Sequence, residues 1–382
     1  MKAYSTIPNT TGTFPDTEAD NASGPGETDG TPFIKQLIDD LWGARQALMD
    51  RLGLTPNGSQ EAVGASQFLD ALELLVRRNP AFGANWDART AAGSYSGIFR
   101  DAFYSPDEYL WCIVGDSGEI QTSDSDGDTW SAQSPAGSYS GTFRGITYSP
   151  SLDLWCAVGS SGEIETSPDG ATWTQRTPAG SYSGNFYAVH WANSMFVAVG
   201  TGGEIQTSTN GTSWTAQTAD NSYSGTFWDV TYSSDLSLWL IVGASAEIQT
   251  SPDGATWTEQ TSAGSYSGAY VGCAYGNGVF VIVGGNGAKE LQSSPDGSTW
   301  TSQSIPSPGG TSYQDVFFAN GHFFAPLSSL GLHVSADGAN WWRIPYDSGT
   351  SGLSDARALG YGNNGFIGVG SSGTIFKSHK HG

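Results

Sequence analysis

Positive charge is scarce in this chain. Lys plus Arg number 15 against 37 Asp plus Glu among 382 residues, a formal net charge of −22. Such a chain repels nucleic-acid phosphate and anionic lipid at long range, so nucleic acid is excluded as a partner. Cysteine is scarce too. Three residues cannot form a closed set of disulfides, and Cys112 and Cys156 fall at the same place in two repeats, as small buried apolar residues. No run of 18 apolar residues exists, which excludes a membrane-spanning helix. The first residues, Met1 to Asp16, lack the apolar core of a signal peptide. No glycine-rich phosphate loop opens a helix, no Cys/His spacing suits zinc, and no nucleophile elbow occurs. No cofactor or metal is therefore expected, and no catalytic residue is assigned.

Glycine and aromatics are abundant instead, with 52 Gly and 47 Phe, Trp and Tyr together. That many large rings can bury much apolar surface, which argues against disorder throughout. Residues 1–31 are rich in Thr, Asn, Asp, Gly and Pro and read as an extended leader. Residues 32–80 read as a helical hairpin. Thr31 caps a helix with Pro32 at its first position, and Ile34, Leu37, Ile38, Leu41, Ala44, Leu48 and Leu52 form one apolar face. A second helix carries Phe68, Leu69, Leu72 and Leu75. Two such short helices bury little alone and call for a partner.

From Trp86 a repeat takes over. Its mark, Asp-Gly followed by Trp three residues on, begins at Asp126, Asp169, Asp253, Asp296 and Asp337, with Asn210 as a variant. The tryptophan spacings from Trp86 through Trp130, Trp173, Trp214, Trp257, Trp300 and Trp341 are 44, 43, 41, 43, 43 and 41. Each repeat holds four strand-like runs, for example residues 143–148, 154–158, 163–167 and 172–176, which is the period of a propeller blade. The last repeat stops after three runs, and residues 84–90 supply a fourth. The expectation is a mainly β fold: a seven-bladed β-propeller over 84–382, closed by pairing of its first strand with its last, and preceded by a small α-helical segment.

The turn Ser167-Pro168-Asp169-Gly170-Ala171-Thr172-Trp173 resembles the Asp-box, or BNR, repeat of sialidases and other propellers, one residue shorter between Asp and Gly. The resemblance implies architecture: Asp bonding nearby amides, Gly at positive φ, Trp packed between sheets. The earlier segment carries a second resemblance. Asp29-Gly30-Thr31-Pro32, Ile38-Asp39-Asp40, Gln46-Ala47-Leu48, Gly53-Leu54-Thr55-Pro56 and residues 65–72 are similar to the N-terminal region of tailed-phage tail-fibre and tail-spike proteins. This implies a virion surface protein, attached to other virion proteins through residues 1–80, whose helices allow a trimer, with the propeller facing a host receptor.

Equivalent positions within one chain can be compared. The first strand of each blade lines the central channel. Four residues before its shared aromatic stand Arg100, Arg144, Tyr187, Trp228, Val271, Gln314 and Arg357. Ring closure makes Arg357, Arg100 and Arg144 neighbours, three of the propeller's six arginines, followed by Tyr187 and Trp228. These five are the candidate ligand-binding residues: guanidiniums for a carboxylate or phosphate, aromatics for a sugar face. The alternative is pairing with the protein's own acids, for which Asp101, Asp229 and Asp315 lie one residue along, where alternation favours the opposite face. His190 reads as a structural histidine. The repeated Glu119, Glu163, Glu204 and Glu247 read as blade-stabilising. The loop tyrosines Tyr95, Tyr139, Tyr182, Tyr223 and Tyr266 read as packing residues or as a repeated surface on one face.

Three functions stay open. One is an adhesin that binds a host-surface glycan or protein. The second is a structural decoration without a ligand, with all three arginines neutralised internally. The third is a sialidase-like hydrolase, which would need a Tyr–Glu pair in the cleft.

Overall fold

The computed structural model describes residues 10–11, 18–19 and 86–378, apart from 125, 286–289, 306–311, 329–330, 345–355 and 364. The chain divides into two compact units, Met1–Phe82 and Gly83–Gly382. In the first, the described residues form two short antiparallel strands, Thr10–Thr11 and Glu18–Ala19, inside the expected leader. The helices expected within 32–80 lie outside the described residues.

The second unit is seven four-stranded antiparallel sheets, each a meander from first strand to fourth. The first strands of blades 1 to 5 are Phe99–Ser105, Phe143–Ser149, Phe186–Ala192, Phe227–Ser233 and Tyr270–Gly276. Those of blades 6 and 7 are Phe317–Ala319 and Ala356–Gly362. The ring closes between the ends of the repeat: Trp86–Arg89 pairs antiparallel with Ile375–Ser378 as the fourth strand of blade 7. Closure removes the two sheet edges an open array would expose.

Cores lie between blades, because each sheet has apolar residues on both faces. Cys112 and Val114 of blade 1 pack with Phe143, Trp155 and Trp173 of blade 2. At the closure, Phe99, Trp111 and Trp130 of blade 1 pack against Ala358, Ile367 and Val369 of blade 7. All three cysteines are free and buried.

The Asp-Gly turns join third strands to fourth. Asp169 Oδ1 accepts the amides of Ala171 at 2.9 Å and Thr172 at 2.6 Å, and Trp173 Nε1 donates to Gly170 O at 2.9 Å. Gly170 sits at φ +68°, where a Cβ would also press within 2.8 Å of Leu110. These amide bonds, led by Thr172, hold the Asp169 carboxyl down at about 2. Asp253, Asp296 and Asp337 repeat these amide bonds, so these four aspartates are consumed in making turns.

On the face carrying the fourth-to-first loops, backbone bonds step from blade to blade. Gly118 N donates to Gly141 O, Gly162 N to Gly184 O, Gly203 N to Gly225 O and Ala246 N to Gly268 O. Gly373 N to Gly97 O continues the series across the closure. The loop tyrosines are structural. Tyr95 Oη donates to Ile98 O or Asp116 O, each at 3.1 Å, and its ring lies 4.7 Å from Phe99. Tyr139, Tyr182 and Tyr223 repeat this arrangement.

Candidate functional site at the mouth of the central channel

The seven residues singled out by the repeat comparison do meet. A cavity of about 240 Å³ at the channel mouth is lined by Arg100, Arg144 and Arg357, by Tyr187 and Trp228, and by Val271, Tyr313 and Gln314. A larger cavity of about 410 Å³ follows along the same first strands and includes Asp101, His190, Asp229 and Asp315 in its wall.

The local cause is a β-bulge. In blade 1, Phe99 faces Gly115 but Asp101 faces Val114, so Arg100 has no cross-strand partner. The same shift isolates Arg144, Tyr187, Trp228, Val271 and Arg357 in their blades. An extra residue bends the strand and re-aims its side chain. Six blades thereby turn one residue each toward the mouth. In blade 6, Gln314 reaches the same place from just before its shortened first strand.

The bulge also separates the arginines from the aspartates beside them. Asp101 accepts the amides of Ala102 at 2.8 Å and of Ile146, in the next blade, at 2.9 Å. Asp229 does the same for Val230 at 2.8 Å and Cys273 at 2.7 Å. Asp315 accepts the Val316 amide at 2.7 Å. Asp101 and Asp229 thus staple adjacent inner strands, whose channel edge would otherwise leave amides unpaired. Burial raises Asp101 to about 6, Asp229 to about 7 and Asp315 well above the usual range. None of the three neutralises a mouth arginine.

One arginine is paired, by a residue the repeat comparison overlooked. Arg100 Nε donates to Asp116 Oδ1 at 2.9 Å and its Nη2 to Oδ2 at 3.1 Å. Burial pushes the Asp116 carboxyl up, but the Arg100 hydrogen bond and charge outweigh it, and Asp116 titrates below the usual range. Asp116 opens the turn between second and third strands. The equivalent residue is Ser160 in blade 2 and Ser371 in blade 7. Arg144 and Arg357 therefore have no carboxylate at that place. Aligning the turns as well as the first strands would have found this.

Arg144 instead lies 4.7 Å from the Tyr187 ring centroid, and its Nε is buried without a hydrogen-bond partner. Arg357 Nη1 donates to Gln314 Oε1 at 2.9 Å. Tyr187 and Trp228 meet edge to face at 4.4 Å, and Trp228 Nε1 is likewise buried and unpartnered. The mouth thus combines three guanidiniums, one carboxylate behind Arg100, two unsatisfied donors and an aromatic corner. Guanidinium N–H groups beside aromatic rings are the chemistry that suits an anion carried on a flat, weakly polar face.

His190 lies deeper, 6.1 Å from Trp239, and burial lowers it to about 4, so it is neutral at ordinary pH. Among the described residues, no group of three or more His, Cys, Asp or Glu is placed to hold a metal ion.

Fold and mouth together define a seven-bladed β-propeller with a cationic channel entrance. A family model described as the DUF6242 beta propeller domain matches residues 251–382. No curated protein matches the chain. Among solved structures, YCF48 bound to D1 peptide is similar with a TM-score of 0.61 and 15% identity, covering 78% of this chain and 97% of that one. YCF48 from Cyanidioschyzon merolae gives 0.60 and 18%, covering 78% and 99%. The WD40 beta propeller domain of Doa1 gives 0.58 and 14%, covering 78% and 98%. At these identities the likeness is one of fold.

Proposed function

We propose that the propeller is the receptor-binding head of a tail-fibre-like attachment protein, and that its mouth takes the acidic group of a surface glycan. The observation that carries the reading is the state of the arginines. In a chain of net charge −22, Arg144 and Arg357 have no ion-pair partner among the described residues, and they flank a cavity none of whose lining residues is acidic. Guanidiniums with no carboxylate in ion-pair contact, gathered beside an aromatic corner, favour a ligand over a purely decorative role, which would have paired all three.

The same lining favours binding over turnover. Acid–base hydrolysis needs a carboxyl or a nucleophile–base pair at the cavity. Among the described residues no mouth tyrosine is hydrogen-bonded to a glutamate. In this reading residues 1–80 dock on other virion proteins, as their resemblance implies, and any oligomer forms through them.

The test is an array of acidic bacterial glycans probed with the full chain. Binding should fall about tenfold or more for each free arginine lost, as in Arg144→Ala and Arg357→Ala. It should also fall in Ser160→Asp with Ser371→Asp, which copies the Asp116 arrangement and neutralises the arginines without removing them. Binding that survives both sets of changes would place the ligand elsewhere. An array without hits would redirect the search to peptide ligands, since a solved propeller of similar fold, YCF48, is bound to a peptide.

A further inference from the structure

Blade 2 differs from its neighbours at one buried position. In blades 1, 3, 4 and 5 the second residue of the third-strand motif is glutamine: Gln121, Gln206, Gln249 and Gln292, each fully buried. Each clamps the loop that enters its own blade. Gln121 Oε1 accepts the Ala92 amide at 2.9 Å, while its Nε2 donates to Ala92 O at 3.2 Å and Glu119 Oε1 at 2.6 Å. Gln206 and Gln249 repeat all three bonds. A carboxamide suits the place because one end accepts and the other donates.

Blade 2 has Glu165 there, fully buried, with Glu163 two residues before it. Glu165 Oε2 accepts the Ala136 amide at 2.9 Å, as the glutamines do. Its other oxygen stands where an NH₂ group belongs. Glu165 Oε1 and Glu163 Oε1 are both buried without a hydrogen-bond partner. Only a proton on one of them turns two acceptors into a donor and an acceptor. Among the described residues, none supplies a compensating cation to the pair. Gln175 of the fourth strand donates to Glu163 Oε2 at 2.9 Å, Ala157 faces Glu165 from the second strand, and the loop contributes the Tyr139 ring. Arg176 is engaged with Thr166 Oγ1, and neither carboxyl has an ion-pair partner among the described residues. Burial raises Glu163 above the usual range and Glu165 to about 7.

We propose that the Glu163–Glu165 pair is a proton-held latch on the loop entering blade 2, and that losing the proton to solvent frees the loop and weakens anion binding at the mouth. The loop runs directly into the site: Thr142 Oγ1 donates to Asp116 Oδ1 at 3.2 Å, and Arg144 follows two residues later. The coupling to the mouth rests on the binding role proposed above; the latch itself does not.

Hydrogen exchange on the full chain tests the latch. The readout is protection of residues 135–142 relative to 92–98 and 179–185, the loops held by Gln121 and Gln206. The ratio cancels the intrinsic pH dependence of exchange. From about pH 6 to about pH 9 it should fall about tenfold in the wild type and stay level in Glu165→Gln. The reciprocal Gln121→Glu should transfer the sensitivity to 92–98. A level ratio in the wild type overturns the latch.

Calorimetry with galacturonate as the probe then tests the coupling. Affinity should drop at the higher pH in the wild type and not in Glu165→Gln. Equal affinity at both pH values, alongside a falling exchange ratio, overturns the coupling and leaves the latch. Galacturonate binding at neither pH counts against the glycan reading, and the exchange ratio still decides the latch.

Discussion

Blades 1 to 4 and blade 6 solve one packing problem with different parts. In blades 1 to 4 a loop tyrosine reaches two backbone carbonyls, a glutamine or Glu165 clamps the entering loop, and a backbone bond reaches the next blade. Blade 6 has a first strand of three residues. Its Tyr313, where blades 1 to 5 have Phe99 or an equivalent ring, is buried and hydrogen-bonded at 2.8 Å to His333 Nδ1. His333 occupies the glutamine position. One side-chain pair thus fills the places of an apolar ring and a carboxamide. The difference teaches that the blade needs buried volume and satisfied polar groups at these places, while the chemistry supplying them is free to change. The mouth survives the exchange, since Gln314 still reaches it.

The strongest way to break this comparison is at the closure, which both kinds of blade depend on. Deleting residues 84–90 removes the fourth strand of blade 7 and the Trp86 contact with Phe366, at 6.4 Å between centroids. Sheet edges and the core between blades 7 and 1 are then exposed, and the expected product aggregates. A soluble variant with an unchanged melting temperature would show that the ring does not need its seam.

Next in size is Glu165→Gln, which makes blade 2 conform to its neighbours. A carboxyl raised from 4.5 to about 7 by burial favours the folded state fully only below pH 4.5. That contribution is lost as pH rises toward 7. The variant should therefore match the wild type near pH 4 and exceed it by roughly 3 kcal/mol above pH 8. Denaturant titrations at both pH values give the difference. A gap independent of pH would mean that Glu165 is not protonated in the fold.

The smallest effect separates the two kinds of blade. Tyr139→Phe removes a hydroxyl whose acceptors, Thr142 O and Ser160 O, lie at the surface-facing loops, and should cost about 1 kcal/mol. Tyr313→Phe removes a buried hydroxyl hydrogen-bonded to His333 Nδ1 and should cost about 1–3 kcal/mol. Equal losses would contradict the view that blade 6 depends on its polar pair.

Much of the fold was legible because repetition is its own control. The tryptophan period, the turn motif and the incomplete last repeat yield seven blades and the closing strand, since a blade cannot bury both faces alone. The five candidate residues were legible for the same reason: position by position, Arg100, Arg144, Tyr187, Trp228 and Arg357 break an otherwise regular pattern. The helices read from residues 32–80 fall outside the described residues.

Other features depended on three-dimensional placement. Strand alternation alone could not say that Arg100 and Asp101 part company, because a bulge is set by the register between two strands. Nor could it pair Arg100 with Asp116 while leaving Arg144 opposite Ser160, since those residues meet only across a hairpin. Glu165 looked like one more acid in an acidic chain. Burial among acceptors makes its proton a structural part, because the cost of an ionised carboxyl depends on its surroundings. The sequence by itself determined the period, the closure and the ring of variable residues. Tertiary structure decided which of those charges meet a carboxylate of the protein and which do not, because that depends on residues brought together across strands.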